Sequence, residues 1–195
     1  MNNTTDFDFD DGNGPVPAHQ HPNGGGWVAD TASVAETVFV GPNAKVYGEA
    51  NVYGKAWVFN GARVFGNATV FGNAWVSGKA MVYGDAEVFH CAHVRGDAKV
   101  YDRARVFVCA IVSGNAEVYD YAEVRGNARV YDNARVYGQS QVYDEAVVHG
   151  EAKVCGRAIV CDNAVVTENA KVSGDAEVCN DTVVFGDAVV TGTLY

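Results

Sequence analysis

Residues 126–146 read GNARVYDNARVYGQSQVYDEA. Three times in this stretch a small residue (Ala128, Ala134, Ser140) is followed two places on by valine (Val130, Val136, Val142) and then by tyrosine (Tyr131, Tyr137, Tyr143). Outward from here the cadence does not break. Valine stands at every sixth position from Val34 to Val190. The residue two places before each is small, nearly always Ala; the departures are Val38, Ser140 and Thr182. Two places after valine comes Gly, or often Asp or Asn, as at Asn60, Asp102, Asp120 and Asp132.

The spacing dictates a backbone. In a strand, residues i and i+2 share a face, so the Ala and Val of each Ala-x-Val point the same way. Only three residues separate one such pair from the next, and they are led by types that accept a left-handed conformation at low cost. The chain therefore turns a corner every six residues, and Ala and Val line the axis of a solenoid. Parallel coils stack at about 4.8 Å, the spacing of neighbouring strands. Composition agrees: 22 Gly, ten Tyr, nine Phe and abundant Val among 195 residues favour short strands and tight turns over helices.

The pattern Val-x-x-x-Ala-x, as in VYGEAN (46–51) and VFGNAT (64–69), resembles the hexapeptide repeat of left-handed parallel β-helices. That resemblance implies an all-β, triangular solenoid in which three hexapeptides make each coil. It covers 34–190, which makes nine coils and a prism about 43 Å long. Handedness comes from the resemblance; periodicity alone establishes only a solenoid, and right-handed crossovers are the general rule. The segment GGGWV (24–28) resembles the leading segment of hexapeptide-repeat proteins from enteric bacteria and their phages.

Two regions are expected: an acidic, Gly/Pro-rich and partly flexible arm over 1–26, and the β-helix over 27–195 with Trp27 as a lid over the first coil. At the other end, Leu194 and Tyr195, or another molecule, must cover the last coil. The net charge of −10 sits at the two ends, and the middle of the chain is balanced. No basic segment leads into an apolar run at the N-terminus, and no apolar stretch is long enough to span a bilayer. A cytoplasmic location is expected, or a virion or host cytoplasm for a phage product. The five cysteines (91, 109, 155, 161, 179) lack CxxC spacing and are read as free thiols.

The resemblance raises acyl transfer, because many such proteins are trimeric, acetyl-CoA-dependent transferases with a catalytic His and a loop that interrupts the repeat. Here no interruption exists between 34 and 190. His93 is outward on a strand and could serve as a base in a trimer groove. His19 and His21 form an HQH pair that could chelate a metal but is read as an exposed pair in a flexible arm, and His90, His93 and His149 do not match the three-histidine zinc set of γ-class carbonic anhydrases. His90, Cys91, Val108 and Cys109 are read as an irregular corner over two coils rather than a metal site. No catalytic residue, metal or cofactor is assigned, and the transferase remains the alternative function.

Every eighteenth residue forms a column. One face carries a basic ladder beside an aromatic one: Lys45, Arg63, Lys99 and Arg135 with Tyr47, Phe65, Tyr83, Tyr101, Tyr119 and Tyr137. Such a track suits single-stranded nucleic acid or glycan, but in an acidic protein it is read chiefly as self-stabilising stacking. A second face mixes charges and aromatics. The third is largely apolar: Trp57, Trp75, His93, Ile111, Arg129, Val147, Val165 and Val183. Exposed apolar stripes mark interfaces, so this face is expected to contact copies of the chain, a trimer above all, or a protein partner. The lack of Thr-x-Thr rows disfavours ice binding, and the neutral middle disfavours DNA mimicry. The expected function is that of a non-catalytic structural or interaction rod.

Overall fold

A computed structural model describes residues 5–194. It contains strands and turns and, among these residues, no helix. Three elongated sheets of 12, 10 and 9 strands form the three sides of a solenoid of about nine turns. Most strands are two residues long, as at Trp57–Val58 and Trp75–Val76, and each pairs in parallel with the strand three hexapeptides further on. The register never slips: Trp57 faces Trp75, Trp75 faces His93, and His93 faces Ile111. The expected all-β, three-sided architecture is what the chain adopts.

The reason lies inside the prism. From Val40 to Val178 the periodic valines are fully buried, and so are the alanines two places before them. A pair this small fits a narrow triangular section, and a larger group would overfill it. The departures from Ala follow local circumstances. Ser140 is wholly buried, and its hydroxyl donates to the Tyr137 carbonyl at 2.9 Å. Val38 and Thr182 fall in the first and last coils, where the stack is incomplete.

Corners follow the expected chemistry with one addition. Every residue two places after valine from Gly48 to Gly186 has positive φ. Where that residue is acidic, its carboxylate can bind the next coil. Asp120 accepts from the Gly138 N–H at 3.0 Å, Asp162 from the Asn180 N–H at 2.9 Å and Glu168 from the Gly186 N–H at 2.8 Å. The side chain thus recovers, as a hydrogen bond between coils, part of the cost of its backbone conformation.

At the start of the chain, β1 (Thr5–Phe7), β2 (Val16–Gln20) and β3 (Trp27–Ala29) each run antiparallel to the next and form one end of the 12-stranded sheet. β3 then pairs in parallel with Lys45–Val46. Residues expected as an arm therefore carry their own apolar cluster: Phe9, Ala18, Ala29 and Tyr47 are buried, with Phe7, Val16, Trp27 and Phe65 against them. Trp27 is not a lid over the first coil. It belongs to this outer cluster and stacks on Phe7 with ring centroids 4.1 Å apart, while its neighbour Val28 joins the core.

The edge of the first coil is instead met by residues 23–26. The Val40 N–H donates to the Asn23 carbonyl at 3.0 Å, and the Gly26 N–H donates to the Val40 carbonyl at 2.9 Å. A Cβ at Gly24 would lie 2.3 Å from the Val40 oxygen, and one at Gly26 would lie 2.3 Å from the Gly41 oxygen. That close approach explains the glycine run. At the opposite end Leu194 pairs with Val178 but stays 40% exposed, and Phe185 and Val189 are also exposed. The first four positions of the expected arm, and Tyr195 as part of a cap, lie outside the described residues.

Phe9 offers a test of the outer cluster. It is 1% exposed, so Phe9→Ala should cost about 3–5 kcal/mol of local stability. The expected outcome is faster amide exchange across β1 and β2 with protection unchanged in the coils around Val118.

Candidate functional site: the apolar face and its neighbours

The nine-stranded sheet holds the whole predicted apolar column in register. Trp57, Trp75, His93, Ile111, Arg129, Val147, Val165 and Val183 occupy equivalent outward positions on eight successive strands. Trp57 and Trp75 are 43% and 41% exposed and Val183 is 54% exposed, whereas His93, Ile111, Val147 and Val165 are half-buried by their neighbours. The two indoles stack with centroids 5.6 Å apart, and the His93 ring lies parallel to Trp75 at 5.1 Å. Burial in this stack, and then the charge of Arg95, lower the His93 pKa below its usual value, which favours the neutral ring.

Two members escaped the sequence reading. Phe39 heads the column, with its ring 4.8 Å from Trp57, and Phe59 stands edge-on to both indoles at 6.2 and 6.0 Å. Phe39 was recoverable by the same step of three hexapeptides. Phe59 was recoverable too, since it follows Val58 as Tyr47 follows Val46, but on this face only the residues before valine were followed.

The basic-aromatic face is less open than its residue types suggest. From Tyr47 through Phe65, Tyr83, Tyr101 and Tyr119 to Tyr137 the rings stack 4.8–5.0 Å apart and within 6° of parallel. Each inner ring spends both faces on its neighbours, so bases or sugars would meet ring edges rather than the π surfaces that stacking recognition requires. Burial raises the phenol pKa values along the column; at Tyr137, hydrogen-bonded to Cys155 and partly buried, the value is pushed up to about 12.

The cations are also engaged. The Arg63 guanidinium donates to the Phe9 carbonyl at 2.6 Å, and Lys45 pairs with Asp10. Glu117 lies between Lys99 at 3.0 Å and Arg135 at 3.6 Å. The groove beside them is lined by three acids (Asp97, Glu117, Glu151) and three bases (Lys99, Arg135, Lys153), so it presents no net charge. The acidic N-terminal stretch thus occupies the first part of the predicted track.

Lys45 holds the Asp10 carboxyl below its ordinary value of 3.8, first by the hydrogen bond and then by its charge. A depressed folded-state pKa contributes stability above the unfolded value and loses it as pH falls through the folded one. Docking of β1, followed by Trp27 fluorescence, should therefore persist through pH 5 and weaken only in stronger acid.

The remaining predicted positions do not converge. His19 lies 2.8 Å from Asp30, while His21 is buried and turns its Nδ1 to the Asn23 backbone at 3.3 Å. His149 contacts Thr167 at 3.3 Å, away from the stack that contains His93. The reading of all five cysteines as free thiols is corrected: Cys161 and Cys179, three hexapeptides apart, form a disulfide with Cα atoms 4.7 Å apart. Coil stacking brings equivalent positions within the range that a disulfide spans. Cys91, Cys109 and Cys155 are free.

Among known families, that described as the YdcK beta solenoid repeat matches residues 62–78 and 128–144. No curated protein matches the chain. Both matched segments begin with Ala-Arg-Val and span just under one coil, although the first begins on the 12-stranded sheet and the second on the nine-stranded one. The likeness therefore follows the six-residue cadence rather than any one face. The chain is similar to a β-solenoid repeat, and the similarity resides in its coils.

Proposed function

We propose that this protein is a non-catalytic interaction rod of the hexapeptide-repeat type, which associates with copies of itself through the nine-stranded face. One observation carries the reading: from Phe39 to Val183 aromatic and aliphatic side chains occupy eight of nine outward positions in one straight column, with two stacked, exposed tryptophans directly after Phe39. A flat apolar column of this kind matches an equivalent column on a second copy, and large aromatics anchor such contacts. Three copies around a common axis would bury the face in a closed ring. Arg129 is the one charge in the column and, once buried, would require a carboxylate or carbonyl opposite it.

The transferase alternative finds less support. His93 is held in an aromatic stack, and its pKa is lowered by burial rather than tuned by a carboxylate. No loop interrupts the coils among the described residues to build a substrate pocket.

Light scattering coupled to size-exclusion chromatography tests the proposal. A mass of three chains at micromolar concentration is the expected result; a single-chain mass at every concentration removes it. Calorimetry with acetyl-CoA supplies the opposing test, since saturable binding lost in His93→Ala would favour the enzyme.

A further inference from the structure

The corner between Phe89 and His93 contains a second feature, separate from the apolar column. Each corner places one residue directly before the buried Ala, and these residues stack from coil to coil. Their side chains meet their equivalents on the next coil. Asn127 donates to Glu145 at 2.7 Å, and Asn163 donates to Asp181 at 3.0 Å. Cys91 and Cys109 occupy this same position on successive coils, in the column that runs on to Asn127. Their backbones keep the register, with the Cys91 N–H donating to the Val108 carbonyl at 2.8 Å and the Cys109 N–H to the Gly126 carbonyl at 2.9 Å.

Both thiols are free and exposed. Equivalent positions lie about one strand spacing apart, some 4.8 Å between Cα atoms, which falls within the span of a disulfide. The bonded pair Cys161–Cys179, also one coil apart, has its Cα atoms at 4.7 Å, so coil spacing accommodates the bond. The second of these corners also holds the least suitable left-handed residue, Val108 at φ 63°. A β-branched residue in that region is a steric outlier, and Val108 has no acceptor to offer the next coil as Asp120 and Asp162 do.

We propose that Cys91 and Cys109 form a solvent-facing dithiol that closes to an intramolecular disulfide by exchange with a small-molecule disulfide. One cysteine thiolate attacks a sulfur of the small disulfide, whose S–S bond breaks and releases one small thiolate. The other cysteine thiolate then attacks the protein sulfur of the mixed disulfide and expels the second small thiolate. The two protons from the cysteines end on the two released thiols, and two electrons pass from the protein to the small disulfide. Closure ties together the two coils that carry His93 and Ile111 in the apolar column.

The test uses the full chain in oxidised glutathione, acid-quenched, alkylated and examined by intact mass and tryptic mapping. The expected result is loss of two alkylatable thiols, a mass lower by two hydrogens, and a cross-link between peptides 80–95 and 106–125 that disappears on reduction. Cys91→Ser and Cys109→Ser should each instead retain one stable glutathionyl group, because the resolving thiol is gone. Glutathione accumulating on both cysteines of the wild type, dimers joined through them, or no reaction at all would each overturn the proposal. Cys155 is buried and serves as the internal control, since it should stay alkylatable only after denaturation.

Discussion

Val118→Asp is expected to abolish cooperative folding, while Glu117→Ala beside it should shift the melting temperature by no more than a few degrees. Val118 is fully buried and pairs with Val100 and Val136 on the coils either side. Removing its side chain forfeits about 1.5–3 kcal/mol of transfer free energy. Placing a carboxylate in an Ala/Val interior with no cation in reach adds several kcal/mol more. In a stack held by nearest-neighbour contacts, a defect at the middle weakens the interfaces on both sides. Glu117 points outward to Lys99 and Arg135, and such half-exposed surface ion pairs contribute about 0–1 kcal/mol. Thermal melts by circular dichroism decide the matter; equal behaviour of the two variants would reverse the inward and outward assignments.

The second large effect concerns association. Trp57→Ser combined with Trp75→Ser should dissociate the proposed assembly and leave the coils folded. Neither indole enters the core, and the stacking they lose within one chain is worth about 0.5–1.5 kcal/mol. At an interface, buried aromatic anchors contribute about 2 kcal/mol or more each. Losing two amounts to about 4 kcal/mol, roughly a thousandfold in dissociation constant. Sedimentation velocity at matched concentrations should show the double variant as single chains with wild-type far-ultraviolet dichroism. An unchanged sedimentation coefficient would place the contact elsewhere on the prism.

Much of this molecule is legible in its sequence because one interval governs it. The six-residue return of valine identifies the inward positions, and the step of three hexapeptides places Trp57 beside Trp75. What escaped depends on contacts that no interval encodes. Phe7 and Phe9 alternate with Asp, which is the signature of a strand with one apolar side, yet the acidic setting and flanking glycines suggested an open arm. Their partners, Trp27, Tyr47, Lys45 and Arg63, lie tens of residues downstream. The bond between Cys161 and Cys179 obeys the same one-coil step as Cys91 and Cys109, but an odd cysteine count obscured it. Acidic residues at left-handed corners were read for the backbone they tolerate, whereas the hydrogen bond each can offer to the next coil emerges only when coils are stacked.

The unslipping register also determines how such a chain can gain or lose length over its descent. Deleting residues 97–102 would leave the valine cadence intact, since Val106 would then follow Val94 by six positions. The core would hardly register the change. Every side beyond the scar, however, would rotate by a third of a turn, and the line running through Trp57, Trp75 and His93 would continue into Glu117, Arg135, Lys153 and Lys171. A deletion of three hexapeptides, such as 97–114, would instead bring Arg129 directly after His93 and keep the line whole. Insertions and deletions are therefore silent for folding in single hexapeptides, yet silent for surface identity only in threes. A lineage of such rods can vary freely in height by whole storeys, while a single misplaced hexapeptide exchanges one face for another in everything above it.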